Sequence, residues 1–275
     1  MPIIQNMPIH HLDSITLSVA EAAREAGQFI RQELGQVRAE HILEKEKHSL
    51  VSYVDIETEK KLVHAISDLV SGAQFITEEK TQDHLSDSHY CWIIDPLDGT
   101  TNFLKGIPVF SVSIALSYHG EPVLGVVYDV MHDECFYAWK GGGAYCNKMP
   151  IQVSQVTTLD ESVIATGFPY KRGYMPSLSQ ILTDVLHHSR GIRRLGSAAI
   201  DLAYTACGRF DGYYETRLNP WDIAGGIVLV QESGGRVSNF RNEKTGILSA
   251  HHILATNGYI HEELLRWVSP ANLDD

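Results

Sequence analysis

The segment from Cys91 to Asn102, with the sequence CWIIDPLDGTTN, constrains the fold of this chain more than any other. Its apolar first part is typical of a buried strand, whereas the carboxylates, glycine and threonines that follow are too polar for a core. Pro96 fixes its own φ angle and has no amide donor, so we expect the strand to end before it. The segment therefore predicts a buried strand that stops at a polar loop.

The polar loop carries residue types that bind both cations and phosphate. Asp95 and Asp98 supply carboxylates, which attract cations. Gly99 allows a tight turn, and Thr100 or Thr101 is placed to cap a helix start, where backbone amides favour an anion. We expect one short loop of this composition to hold a metal and a phosphate together.

Composition limits the classes of protein to which the chain can belong. Its 275 residues suffice for one large domain or two of ordinary size. The 22 Lys and Arg against 34 Asp and Glu give a formal net charge of −12, which argues against nucleic acid or an anionic membrane as the main partner. We find no signal peptide, no uncharged run that would cross a bilayer and no CxxC pair, so we expect a cytoplasmic protein with reduced cysteines.

Two amphipathic helices are predicted in the N-terminal part of the chain. Apolar residues recur at helical spacing over residues 13–35 and again over residues 56–72. Asp55 lies where the N-cap of the second helix is expected, so the local sequence favours a role as a helix cap. The segment KHSLVSYVD between the helices predicts a strand or the edge of a hairpin.

Acidic residues follow two strands that are consecutive along the chain. The predicted strand Gln74–Thr77 runs into Glu78 and Glu79, and the predicted strand Tyr90–Ile94 runs into Asp95. Consecutive strands are commonly neighbours in a sheet, so we expect Glu78 to lie near Asp95.

The pattern of predicted secondary structure changes near the middle of the chain. The segments SVSIALSY, PVLGVVYDV and CFYAW predict an antiparallel meander, whereas strands and helices alternate after Met149-Pro150. We therefore predict an N-terminal α+β domain over residues 1–150 and a C-terminal α/β domain over residues 151–275.

The C-terminal half supplies further candidate contacts. Small residues at 196–199 open a predicted helix, where routine packing and a phosphate or hydroxyl contact both remain open. A predicted strand over 211–214 ends in Glu215. Asp222 stands before a helix predicted from Ile223, a position that by itself indicates only a cap and an interaction with the helix dipole.

Five acids thus lie at the ends or starts of predicted elements: Asp55, Glu78, Asp95, Asp98 and Asp222. Carboxylates gathered without cations repel each other and their pKa values rise, so a divalent metal is the natural compensation. Because these positions offer oxygen ligands, magnesium or manganese is favoured over zinc. Magnesium bound in this way usually takes up substrate phosphate, which implies phosphoryl chemistry.

Two long motifs carry a resemblance to a known family. WIIDPLDGTTNF at 92–103 and PWDIAGGIVLVQESGG at 220–235 resemble the two signatures of the inositol monophosphatase family. ITEE at 76–79, ATGFP at 165–169 and the segment LGSAAIDLAY agree as well. The chain is similar to the bacterial members of the family from its first helix to about Gly258.

The resemblance implies an alternating layered αβαβα sandwich, within the α/β (α+β) class, and metal-dependent hydrolysis of a phosphate monoester. It implies a first metal site at Glu78, Asp95 and the carbonyl of Leu97. A second site would comprise Asp95, Asp98 and Asp222, and a third, weaker ion would bind at Glu78. The implied cofactors are two to three Mg²⁺ ions, with Mn²⁺ as an alternative.

Residue roles follow from the same resemblance. Thr100 and Asp55 correspond to the family's water-activating pair, which replaces the interpretation of Asp55 as a cap alone, and Glu78 joins them as catalytic. The amides of Gly99 and Thr100 would hold the phosphate. The implied substrate-binding residues are Asp98, Gly99, Thr100, Gly196, Ser197, Ala198, Glu215 and Asp222.

Among family substrates, the leading candidate is myo-inositol 1-phosphate. A 3′-phosphoadenosine nucleotide, fructose 1,6-bisphosphate and histidinol phosphate are alternatives, and for a bisphosphate the candidate cations are Lys171, Arg172, Arg193 and Arg194. Lithium inhibition and a homodimer are expected on the same basis. A regulatory role in binding the transcription machinery is an alternative from another functional class. An aspartyl phosphatase of the haloacid dehalogenase type fits poorly, because its DxDGT motif is one residue shorter than the DxxDG here.

Overall fold

The computed structural model describes residues 11–46, 49–81, 89–169 and 175–268, which form two sheets with helices around them. Seven α-helices occur in these ranges: α1 (Leu12–Glu33), α2 (Tyr53–Ile66), α3 (Thr100–Lys105), α4 (Met175–His188), α5 (Ala198–Ala206), α6 (Pro220–Glu232) and α7 (His261–Val268). A hairpin of two short strands precedes α2: β1 (Ile42–Glu46) and β2 (Ser49–Ser52).

The larger sheet has seven strands in sequential order: β3 (Gln74–Thr77), β4 (Tyr90–Asp98), β5 (Ser111–Tyr118), β6 (Glu121–Asp129), β7 (Glu134–Trp139), β8 (Gly143–Cys146) and β9 (Met149–Pro150). The smaller sheet has five strands, which lie side by side in this order: β11 (Gly191–Arg193), β10 (Val163–Thr166), β12 (Gly212–Thr216), β14 (His252–Thr256) and β13 (Arg236–Ser238). The predicted antiparallel meander is confirmed, since β4 to β7 pair antiparallel in succession.

Helices and sheets alternate in five layers. α1 and α2 cover one face of the larger sheet, where they contact β6 and β4. α5 and α6 fill the space between the sheets, and α4 and α7 pack on the smaller sheet at β11 and β14. The predicted αβαβα sandwich is confirmed; each sheet is apolar on both faces and therefore needs a helical layer on each side.

Close packing of α6 on the larger sheet depends on two facing glycines. A Cβ added to Gly125 on β6 would lie 2.3 Å from the carbonyl oxygen of Gly225 on α6. A larger residue at Gly125 would push the helix away from the sheet. The glycine contact therefore sets how near the start of α6, which carries Asp222, comes to the strands.

The strand that ends in the polar loop is longer than predicted. β4 runs through Pro96 to Asp98, so the expectation that it ends before the proline was wrong. Asp95 pairs with Ser113 and Asp98 with Ser111, which leaves one extra residue on β4. Such a bulge tolerates a proline because the bulged residues need not donate to the ladder.

Several helix boundaries also differ from the prediction. α1 begins at Leu12, and its N-cap His11 makes no side-chain capping bond. α2 covers residues 53–66 rather than 56–72. The division into domains at residue 150 remains a prediction; the two sheets lie on either side of it, although α5 and α6 contact both.

Two further features of the described residues bear on the protein class. None of the helices in these ranges combines the length and apolar character needed to cross a membrane. All four cysteines are present as free thiols.

Candidate active site

Asp55 is both a helix-capping residue and a partner of the polar loop. The N-cap of α2 is Ser52, and Asp55 is the third residue of the helix, so its predicted place as the N-cap was wrong. Asp55 Oδ2 accepts hydrogen bonds from the Ser52 amide at 2.8 Å and the Ser52 hydroxyl at 2.7 Å. Its Oδ1 accepts from the Thr100 hydroxyl at 2.8 Å. Burial raises the pKa of Asp55 above its usual value, although these hydrogen bonds lower it.

Thr100 is the first residue of α3, directly after a glycine with a left-handed backbone. Gly99 has a φ of 98°, and a Cβ added there would lie 3.1 Å from the Val109 carbonyl oxygen. Glycine is therefore required for the sharp turn from β4 into α3. As the first helical residue, Thr100 has no partner for its amide within the helix. Gly99, not a threonine, occupies the N-cap position.

Glu78 and Asp95 come together where β3 and β4 end. The two strands pair in parallel, with Thr77 opposite Ile94, and the Glu78 amide donates to the Ile94 carbonyl at 3.2 Å. Asp95 is only 2% exposed. Burial raises the pKa of Asp95 well above its usual value, and the charges of nearby carboxylates, Glu78 first, raise it further. The expected proximity of Glu78 and Asp95 is thus present in the structure.

Asp98 links the polar loop to the C-terminal half of the chain. Its Oδ2 accepts hydrogen bonds from the Ser197 hydroxyl at 2.6 Å and the Ala199 amide at 2.8 Å. Burial raises the pKa of Asp98 to about 6, against the lowering effect of these two donors. Ser197 is at the same time the N-cap of α5, since its hydroxyl accepts from the Ile200 amide at 3.2 Å. The small residues that open α5 therefore cap the helix and bind an active-site acid.

Asp222 lies in the first turn of α6. The helix begins at Pro220 rather than at Ile223, and Asp222 Oδ2 accepts from the Asn219 amide at 2.6 Å. Burial raises the pKa of Asp222 well above its usual value, and the charges of Asp98 and then Glu78 add to the shift. Asp222 is therefore close enough to Asp98 and Glu78 for their charges to raise its pKa, and it also stabilises the start of its own helix.

Glu215 lies within β12, which ends one residue later than predicted, at Thr216. Its side chain is 9% exposed, and its Oε2 accepts from the Tyr213 hydroxyl at 2.6 Å. Burial raises the pKa of Glu215 to about 7. A Cβ added to Gly167 would lie 2.0 Å from Oε2, so only glycine leaves room for this carboxylate. The ATGFP segment thus packs directly against the Glu215 carboxylate.

Two polar residues that the sequence did not single out connect the loop to α5. Asn102 donates from Nδ2 to the Val109 carbonyl at 2.7 Å and to the Leu195 carbonyl at 2.9 Å. The Ser111 and Ser197 hydroxyls lie 3.1 Å apart. These contacts fix the 195–198 segment beside the polar loop. No local pattern predicts the contacts to Leu195 and Ser197, because they join residues 93 and 86 positions apart.

The candidate basic residues are only partly placed. Arg194 lies near enough to lower the pKa values of Asp98 and Glu215, whereas Arg193 is exposed and donates to the Ile192 carbonyl beside it. Lys171 and Arg172 lie outside the described residues.

The side chains of Asp95, Asp98 and Asp222 offer the type of ligand atom that a divalent cation prefers. Their donors are carboxylate oxygens, and the raised pKa values of Asp95, Asp98 and Asp222 result first from burial and then from the charges of neighbouring carboxylates. In the described ranges, however, no three His, Cys, Asp or Glu side chains already form a ligand set for one ion. One oxygen of each of these three carboxylates is bonded to a backbone amide, which leaves the second oxygen for a ligand role.

Comparison with known proteins finds relatives that cover most of the chain. The model of the inositol monophosphatase family matches residues 11–272. An inositol-1-monophosphatase of Synechocystis is 43% identical over 248 residues, covering 89% of this chain and 85% of that protein. The Nus factor SuhB of Escherichia coli K12 is 39% identical over 245 residues, covering 89% and 91%.

A solved structure shares the fold over nearly the whole chain. The extragenic suppressor protein suhB from Bartonella henselae superposes with a TM-score of 0.89 at 37% identity, covering 94% of this chain and 100% of that one. Both the match over residues 11–272 and the shared architecture lead to one assignment. This chain belongs to the inositol monophosphatase family.

Proposed function

We propose that this chain is an inositol-1-monophosphatase that uses magnesium to hydrolyse myo-inositol 1-phosphate to inositol and phosphate. Membership of the family makes it a phosphomonoesterase. The observation that carries the finer proposal is the hydrogen bond from the Thr100 hydroxyl to the buried Asp55, 2.8 Å long, beside the acids at the end of β4. A hydroxyl held by a buried base next to a cation site is suited to activating water.

The cations would be held by the acids and one carbonyl. Glu78, Asp95 and the Leu97 carbonyl would bind one magnesium ion. Asp95, Asp98 and Asp222 would bind a second, and a third, weaker ion would rest on Glu78. The oxygen donors and the raised pKa values of three of these acids support this assignment. When bound, magnesium offsets phosphate charge and lowers the pKa of a water molecule.

Thr100 and Asp55 would position that water and take its proton. The Thr100 hydroxyl has one proton and two acceptors, Asp55 Oδ1 at 2.8 Å and the Leu97 carbonyl at 3.1 Å. If the Leu97 carbonyl served as a metal ligand, the hydroxyl would donate to Asp55, and its own oxygen would accept a hydrogen bond from the water. The raised pKa of Asp55 makes it a stronger base than an exposed carboxylate.

Substrate contacts would come from both halves of the chain. The amides of Gly99 and Thr100 lie at the start of α3, where they would bind phosphate oxygens. Gly196, Ser197 and Ala198 lie beside Asp98 and would contact the inositol ring. Glu215 would accept hydrogen bonds from ring hydroxyls, because Tyr213 occupies only one of its two oxygens.

The test is phosphate release from a panel of substrates with magnesium present. The panel comprises myo-inositol 1-phosphate, a 3′-phosphoadenosine nucleotide, fructose 1,6-bisphosphate and histidinol phosphate. We expect the inositol phosphate to have the highest kcat/KM. Asp95→Asn should retain the fold by circular dichroism and lose activity by several orders of magnitude. Near-normal turnover in that variant, or a clear preference for another substrate, would contradict the proposal.

A second candidate role is regulatory. The identity to the Nus factor SuhB of E. coli, 39%, is close to the 43% to an inositol-1-monophosphatase, so sequence similarity favours neither role strongly. We propose that a cytoplasmic homodimer of this chain also binds the transcription machinery. Capture of RNA polymerase from native extract by the Asp95→Asn protein would separate this role from hydrolysis. Failure to capture it with either Asp95→Asn or wild-type protein would remove the candidate.

A further inference from the structure

A second buried carboxylate lies on α2, one helical turn beyond Asp55. Glu59 follows Asp55 by four residues, so both side chains project from the same face of the helix. The Glu59 side chain is 0% exposed. Burying a carboxylate is costly unless hydrogen bonds satisfy it, so the partners of Glu59 show what its burial stabilises.

Those partners are the last residue of β3 and two residues of the turn that follows it. Glu59 Oε1 accepts hydrogen bonds from the Thr77 hydroxyl at 2.8 Å and from the Thr81 amide at 2.7 Å. Its Oε2 accepts from the Glu79 amide at 2.7 Å. Hydrogen bonds to an ionised acceptor are about twice as strong as neutral ones. One carboxylate thus binds the side chain of the residue before Glu78 and two backbone amides after it.

The turn needs this anchor because it lies beyond the sheet. Pairing of β3 with β4 ends at Thr77. Three residues later, Lys80 has a φ of 55°, in the left-handed region that residues with a side chain seldom adopt. Such a conformation persists only when its surroundings hold it. The two amides bonded to Glu59, at Glu79 and Thr81, lie directly before and after Lys80.

We propose that Glu59 is a positioning residue for the first cation site, which holds the turn so that the Glu78 carboxylate faces Asp95. The inference rests on the proposed function, because it takes Glu78 as a cation ligand. Under this proposal, one face of α2 carries two side chains with different roles. Asp55 bonds the hydroxyl that orients water, and Glu59 holds the segment that carries the ligand.

The direct test is to titrate the metal-free protein with Mn²⁺ and to measure the free Mn²⁺ by electron paramagnetic resonance. Glu59→Gln retains the size of the side chain but turns an NH₂ group toward a hydrogen-bond donor of the turn. We expect Mn²⁺ affinity to fall at least tenfold and the amides of residues 77–81 to exchange hydrogen faster. In phosphate release, the magnesium concentration for half-maximal rate should rise, and kcat at saturating magnesium should fall less than fivefold.

The matched control is Glu57→Gln, which removes the same charge from the same helix. The Glu57 side chain is 47% exposed, and its Oε1 pairs with Lys60 Nζ at 2.7 Å. We expect no change in Mn²⁺ affinity or in hydrogen exchange of the turn. If Glu59→Gln does not fold, Glu59→Asp replaces it, since the shorter side chain keeps the charge and withdraws the carboxylate.

A double-mutant comparison distinguishes positioning from a general effect on the fold. If Glu59 acts through Glu78, Glu59→Gln added to Glu78→Gln should weaken Mn²⁺ binding no further than Glu78→Gln alone. The inference would be overturned if the double variant lost Mn²⁺ affinity by the product of the two single-variant losses. It would also be overturned if folded Glu59→Gln protein bound Mn²⁺ with unchanged affinity. If the wild-type protein binds Mn²⁺ but releases no phosphate, the proposed function is refuted. The Mn²⁺ affinities of the variants still decide the role of Glu59 in that case. A wild-type protein that binds no Mn²⁺ overturns both.

Discussion

Replacement of Glu215 by glutamine tests whether the pocket recognises a polyol. The side chain is nearly the same size, and Tyr213 can still donate to its oxygen, as it does to Glu215 Oε2 at 2.6 Å. Within the described residues, the other carboxylate oxygen accepts no hydrogen bond, so it is the one left for a ring hydroxyl. The variant therefore loses one charge-assisted hydrogen bond to substrate, and we expect little change in the fold.

The size of the effect follows from that single bond. A hydrogen bond to a charged group is worth about 1.5–3 kcal/mol, which corresponds to roughly a 10- to 150-fold loss in kcat/KM. Burial raises the pKa of Glu215 to about 7, so the carboxylate becomes ionised as the pH rises through neutrality. In the wild type, KM for inositol phosphate should therefore fall between pH 6 and pH 8, roughly one unit either side of that pKa. Glu215→Gln should lack this pH dependence.

The assay compares phosphate release from myo-inositol 1-phosphate with that from p-nitrophenyl phosphate, which has no ring hydroxyls. We expect Glu215→Gln to impair the inositol substrate alone. Equal losses on both substrates would mean that Glu215 supports the fold or the cation site. Unchanged kinetics on both would show that Glu215 does not contact substrate.

Three further predictions concern the water-activating pair, the pocket and stability. Thr100→Val removes the hydroxyl that bonds Asp55 and should lower kcat about 10²–10³-fold, whereas Thr100→Ser should stay within tenfold, as measured by phosphate release. Gly167→Ala places a Cβ 2.0 Å from Glu215 Oε2 and should raise KM for inositol phosphate with kcat less affected. Burial lowers the pKa of His261 from 6.5 to about 4, so the unfolded chain takes up a proton that the folded protein does not. Stability should thus fall as the pH drops from 6.5 towards 4, by about 2 kcal/mol at pH 5, and urea unfolding of His261→Gln should lack this loss.

Local sequence was sufficient to predict most of the elements. The helical spacing of apolar residues marked α1, and the alternation after residue 110 marked the antiparallel meander. The prediction failed at Pro96, because a proline ends a strand only where its missing donor matters. Pairing with β5 turned that position into a bulge, which needs no donor there. The outcome depended on a partner strand that local sequence does not specify.

In the site, too, the sequence identified some features and only the tertiary structure revealed the others. The motif around Asp95 and Asp98 identified the acids, since carboxylates after an apolar strand have few structural reasons to be there. Only the tertiary structure showed that Asp55 both caps α2 and bonds Thr100, and that Glu59 holds the turn beside Glu78. The hydrogen bond from Thr100 to Asp55 joins residues 45 positions apart, and the one from the Glu79 amide to Glu59 joins residues 20 positions apart. Periodicity and capping patterns describe contacts within a few residues, whereas the approach of distant segments is decided by how the layers pack.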